Sequence, residues 1–159
     1  MDTTFQIQTR EIPDRLILTE ERVVGQPELE EWVRAAFGRV YDQAAALGNP
    51  DGPGMLIFHG EVTKEKSSRV EATIVIPADT AKDRLPANSR LDPAHHEAYT
   101  RITKAQNAFP GILEAYDAVS TWIRERGHEV ADSPREVYFR DFMAAAEDDE
   151  VCDISFPYR

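Results

Sequence analysis

A single cysteine, Cys152, stands in 159 residues, so no internal disulfide can form and nothing in the chain asks for an oxidising compartment. Positive charge is also short. Lys and Arg number 18 against 29 Asp and Glu, a formal charge of -11. Nonspecific affinity for phosphate backbones depends on clustered Lys and Arg, so direct nucleic-acid binding is not expected. Long apolar runs are missing as well: none approaches the roughly 20 residues that span a bilayer. The start, MDTTFQIQTREI, carries neither the basic nor the apolar region of a secretory leader. The expected setting is the cytoplasm, without membrane attachment.

Chemical signatures are equally sparse. There is no glycine-rich phosphate loop, no G-x-S-x-G elbow and no H-E-x-x-H. His95 and His96 are adjacent and would face different ways on regular structure, and no further His or Cys lies at ligand spacing. No metal and no cofactor are expected. His59, alone at a strand end, reads as an ordinary strand histidine. Cys152 reads as a small core residue rather than a nucleophile.

What the chain does contain is order written twice. The segment from Phe5 to Val24 alternates like a strand, interrupted by Pro13 and Asp14, which suit a bend or bulge. In PELEEWVRAAFGRVYDQAAAL, Leu29, Trp32, Val33, Phe37, Val40, Ala44 and Leu47 recur at helical steps, with Pro27 placed to open the helix and Gly48 to close it. Two strands follow, GMLIFHGEV and RVEATIVIP. The second half repeats this: strand HEAYTRITKA, helix FPGILEAYDAVSTWIRERG with Ile112, Tyr116, Val119 and Ile123 on one face, strand PREVYFRDF and strand VCDISFPYR. The acidic EDDE run at 147 to 150 reads as a solvated turn.

Gly48 and Gly127 lie 79 apart, while Phe58 and Tyr138, and Pro77 and Pro157, lie 80 apart. Matching landmarks in matching elements point to an internal duplication. The expected architecture is α+β: duplicated β-α-β-β halves with pseudo-two-fold symmetry, antiparallel sheets, one long helix per half and a central cleft. Repeat one covers about 4–79, a proline-containing linker about 80–96, and repeat two about 97–159, forming a single domain. Val70, Ala72, Ile74 and Ile76, with Cys152, Ile154 and Phe156 in the second half, should form the rows beneath the helices.

In PREVYFRDF, apolar and charged residues alternate. If Val137 and Phe139 pack under the helix, Glu136 and Tyr138 must face away, toward the cleft. The plain alternative pairs Glu136 with Arg135 or Arg140 on a solvated strand.

The helix AYDAVSTWIRERG, the turn ADSP and the strand PREVYFRDF resemble the gyrase-inhibitor-like (GyrI-like) small-molecule-binding domains, also called AraC-type effector-binding domains. The segments REIPDRLI and ATIVIPA resemble the same family in the first half, so the likeness covers nearly the whole chain. It departs at TKAQNAFPG, which lacks the family's glycine-containing turn before the second helix.

The resemblance implies a pocket lined by aromatic rings that takes varied hydrophobic or cationic molecules, with Glu136 at its base and Tyr138 beside it. The 80-residue offset adds Leu56 and Phe58 as an apolar wall, and Tyr41 and Trp122 on the helix flanks could overhang it. The implied function is a stand-alone small-molecule-binding protein acting in sequestration or in ligand-responsive transcription regulation, in the manner of multidrug binders. Its fold would use essentially all 159 residues, leaving any protein partner unidentified. The alternative is a hydrolase of reactive, cyclopropane-bearing toxic molecules, with Glu136 as base and Tyr138 as oxyanion donor.

Overall fold

A computed structural model describes residues 5–159. Eight strands and two helices follow one another as β1 (Gln8–Ile12), β2 (Arg15–Val24), α1 (Gln26–Leu47), β3 (Gly54–Phe58), β4 (Ser68–Ile76), β5 (Ser89–Asp92), β6 (His95–Thr103), α2 (Ile112–Glu125), β7 (Arg135–Tyr138) and β8 (Glu150–Tyr158). All of the pairings described below are antiparallel, so the class is α+β. Contacts divide the chain into two compact units: Pro13–Ala94, and the residues up to Ile12 together with His95–Arg159.

In the Pro13–Ala94 unit the strands run in the order β3-β4-β2-β5. Leu18, Ile74 and Ile76 on the sheet bury against Val40 and Ala44 of α1, with Leu16, Phe37 and Leu47 packed around them. Each of the Val, Leu and Ile side chains contributes about 1.5–3 kcal/mol when fully withdrawn from water. Pro27 sits in the first turn of α1, where its missing N–H is no loss, and the Glu28 carboxylate accepts the Gly25 N–H at 2.9 Å. The helix stops at Gly48, whose φ of 131° is open to glycine and strained for other residues.

The second unit has the order β1-β6-β8-β7. Its core joins Ala98 and Ile102 of β6, Ile112, Ala115, Val119 and Ile123 of α2, and Val151, Cys152, Ile154 and Phe156 of β8. The rows Val70 to Ile76 and Cys152 to Phe156 are buried as the alternation indicates.

Two differences from the sequence reading carry consequences. Pro13 and Asp14 do more than bend one strand. They end β1 and release it from β2, and β1 pairs along its whole length with β6, from Gln8 opposite Tyr99 to Ile12 opposite His95. The segment read as a linker, 80–96, likewise carries a strand, β5, which pairs with β2 from Arg15 opposite Asp92 to Leu18 opposite Ser89. Each sheet therefore takes its fourth strand from the stretch that precedes the other half. An edge strand contributes backbone hydrogen bonds along only one side, so its alternation does not say which neighbour it will find.

Candidate functional site

β7 is short, and its partner β8 decides what it presents. Glu136 stands opposite Ile154 and Tyr138 opposite Cys152, while Val137 stands opposite Asp153. Directly paired residues in an antiparallel ladder share a face. Glu136 and Tyr138 therefore lie on the row of Cys152, Ile154 and Phe156, the row covered by α2. This reverses the face expected from the alternation. Val137 is buried on the other side, and Phe139 is 38% exposed, its ring lying 4.2 Å from the Arg101 guanidinium. Both faces of β7 are largely withdrawn from water, so a two-residue period alone could not tell the helix side from its opposite.

Glu136 is 6% exposed. Its Oε2 accepts the Tyr116 hydroxyl at 2.6 Å and its Oε1 accepts the Tyr138 hydroxyl at 2.6 Å. Asn107 Nδ2 in turn donates to the Tyr138 hydroxyl at 3.2 Å. Among the described residues no Lys, Arg or His pairs with this carboxylate, so neither Arg135 nor Arg140 plays that part. Burial raises the Glu136 carboxyl above its ordinary range, and the two phenol hydrogen bonds oppose the shift without cancelling it. Burial, reinforced by the Glu136 charge, also pushes both tyrosines well above the usual phenol value, so they act as donors.

Ring contacts surround the triad. Tyr116 meets Phe156 edge-on at 5.9 Å and Tyr138 meets Phe142 edge-on at 6.1 Å. Such pairs fix ring orientation in addition to burying area.

The remaining expected site residues fall elsewhere. Leu56, 4% exposed, and Phe58, half-buried, share the β3 row that pairs with Ala72 and Val70. Trp122 packs against the α2 core, edge-on to Tyr158 at 6.4 Å and capped by Arg126 at 4.9 Å. Tyr41 is 45% exposed on α1. The sequence reading missed Tyr116, Asn107 and Phe142. The helical spacing places Tyr116 on the α2 stripe with Ile112, Val119 and Ile123. The available signal was its hydroxyl, because a phenol on a buried stripe needs a hydrogen-bond partner.

Two surface depressions, of about 430 and 270 Å3, are lined by Pro27, Glu30, Glu31 and Arg34 and by Gln6, Gln8, Tyr99, Arg101 and Glu150. Neither is lined by Glu136 or Tyr138. Among the described residues no three His, Cys, Asp or Glu side chains gather at metal-binding reach. Among the described residues no helix is long and apolar enough to cross a membrane.

The fold has solved counterparts. The C-terminal domain of EcmrR superimposes with a TM-score of 0.75 at 19% identity, covering 99% of each chain. The chain has the GyrI-like fold. A hydrolase from Listeria innocua shares that fold (TM-score 0.68, 11% identity, 99% of this chain and 94% of that one), as does SAV2435 bound to tetraphenylphosphonium (0.59, 12%, 97% and 94%). The chain spans 57% of the length of EcmrR in its complex with DNA. No family model and no curated protein matches the sequence.

Proposed function

We propose that the protein binds hydrophobic, cationic small molecules and that Glu136 supplies the charge they are held by. The observation that carries this reading is a buried carboxylate held by two phenols, with no counter-charge among the described residues. Desolvating an anion without a cation is costly, and a ligand cation would relieve that cost beside the rings of Tyr116 and Tyr138. Flat rings and one charge ask for little in shape, so many compounds qualify. SAV2435, a protein of the same fold, holds tetraphenylphosphonium, a cation of this kind. The role is sequestration or ligand-responsive regulation.

The decisive experiment is a calorimetric titration with tetraphenylphosphonium and, in parallel, with neutral triphenylphosphine oxide. The wild type binds the cation saturably, and Glu136→Gln weakens it by about 30-fold or more, as loss of a buried charge partner costs 2 kcal/mol or more. The neutral compound is unaffected. Equal affinity of both proteins for the cation overturns the reading.

A second reading, hydrolysis of cyclopropane-bearing electrophiles, has one specific support: burial makes the Glu136 carboxylate a stronger base. Glu136 would take a proton from the water that opens the ring, and Tyr138 would donate to the oxygen that becomes anionic. Product formation followed by mass spectrometry and abolished in Glu136→Gln marks the enzyme. Saturable binding without product marks the binding protein.

A further inference from the structure

Glu136 lies beneath the surface, so a ligand must displace part of the chain to reach it, and the stretch between β7 and β8 is placed to be that part. Residues 139–149 form turns rather than a strand. Phe142 from this stretch is half-buried against the α2 core, and its ring meets Tyr138 edge-on at 6.1 Å. Tyr138 is the residue whose hydroxyl closes one oxygen of Glu136. Outside Phe142 stands Lys104, with Nζ 5.0 Å from the ring centroid and donating to the Ala145 carbonyl at 3.1 Å. The Lys104 and Ala105 amides donate to the Asp149 and Glu147 carbonyls, each at 2.9 Å. Beyond the ring, Met143 is 64% exposed. Glu136 is thus 6% exposed, Tyr138 and Phe142 are half-buried, and Met143, next to Phe142, lies at the surface.

We propose that Phe142 is the displaceable plug of the Glu136 site and Lys104 its latch. The side chains already mimic the occupant: Phe142 sets a ring against Tyr138, and Lys104 sets a cation against that ring. A molecule carrying both an aromatic group and a positive charge replaces the two together, which selects aryl cations over aliphatic ones. This rests on the ligand-binding reading above. It is also testable without any ligand, because the only cysteine, Cys152, is buried opposite Tyr138 on the same row.

The test is the labelling rate of Cys152 by methyl methanethiosulfonate in the intact protein, with global stability measured by urea unfolding of the same samples. Phe142→Ala speeds labelling by about tenfold beyond what its change in global stability accounts for, since local opening then bypasses global unfolding. Lys104→Met, which retains the plug, gives a smaller acceleration of the same kind. Labelling that tracks global stability in both variants overturns the plug. In stopped-flow mixing with tetraphenylphosphonium, Phe142→Ala also binds faster than wild type. Binding that depends on Glu136 but is no faster in Phe142→Ala sinks the plug and leaves the ligand reading standing. Absence of binding by wild type and variant alike sinks both.

Discussion

The two halves place different chemistry on matching positions. In one, Tyr116, Glu136 and Tyr138 converge beneath α2. In the other, the residues 79 and 80 positions earlier are Phe37, Leu56 and Phe58. The rings and the branched chain remain, and every polar atom is gone. Phe37 packs on the α1 core and Leu56 is buried, so that row is ordinary core. An apolar row therefore satisfies the scaffold, and the carboxylate at 136 is an addition to it. Away from the helices the halves differ in another way. Arg15 faces Asp92 across β2 and β5, and Arg10 faces Glu97 across β1 and β6: the same ladder position with the charges exchanged. There the polar atoms are kept and their order is reversed, as expected where a buried pair needs complementarity rather than a particular sign.

Writing one half into the other has the largest expected effect. Leu56→Glu places a carboxylate where no phenol can reach it, and the expected loss is about 3–5 kcal/mol of unfolding free energy by urea titration. Adding Phe37→Tyr and Phe58→Tyr recovers part of that loss. If the triple variant is no more stable than the single one, the two rows are not equivalent.

Arg10 comes next. It donates to Glu97 at 2.7 Å, Asp153 at 3.0 Å and Ser155 at 3.2 Å. Arg10→Met leaves two buried carboxylates short of a partner, although Arg101 still holds Asp153 and His95 still reaches Glu97. About 2 kcal/mol of destabilisation is expected, moderated because Arg10 is partly exposed.

Smaller, and opposite in sign, are the pH effects. Burial tends to raise the Glu71 carboxyl, but hydrogen bonds from Thr19 and His59 and the Arg90 charge outweigh it, so its pKa is lowered. Glu97 is lowered in the same way through His95 and Arg10. Both contribute stability above the ordinary carboxylate range that is lost as pH falls through their folded values. Glu136 is raised, so the unfolded chain ionises first, and stability falls as pH climbs from the ordinary range to its folded value. In thermal melts from pH 4 to 8, Glu136→Gln gains on wild type as pH rises. Glu71→Gln loses on it only at the acid end, as pH rises from below the ordinary carboxylate range to just above it. Parallel profiles would remove the distinction between the two kinds of buried carboxylate.

The smallest effect belongs to Tyr41→Ala. The side chain is 45% exposed, and the change should stay within about 0.5 kcal/mol in stability. Affinity for tetraphenylphosphonium should not change.

Much of this was legible in the residues. Two periodicities, 3.6 and 2, separate helices from strands, and repeated landmarks such as Gly48 and Gly127 show the doubling. Glu136 and Tyr138 could be singled out because alternation sets them on one face of the strand and the family resemblance places them at a pocket. Their face could not be read. Both rows of β7 are buried, Glu136 at 6% and Val137 at 7% exposure, and alternation divides side chains into two sets without naming the side each set meets. Tyr116 was hidden for a related reason: a ring on a helix stripe looks the same whether its hydroxyl ends in solvent or on a carboxylate.

The two helices, the strands that flank each of them, the duplication and the net acidity are properties of local pattern and composition, and the chain alone determined them. The partner of β1, the side of β7 that looks under α2 and the meeting of Tyr116 with Glu136 were decided only by the folded structure. These are choices of pairing and register between residues as near as Tyr138 and Cys152, 14 apart, and as far as Gln8 and Tyr99, 91 apart, and a strand's local pattern is nearly the same for each of the neighbours it could take.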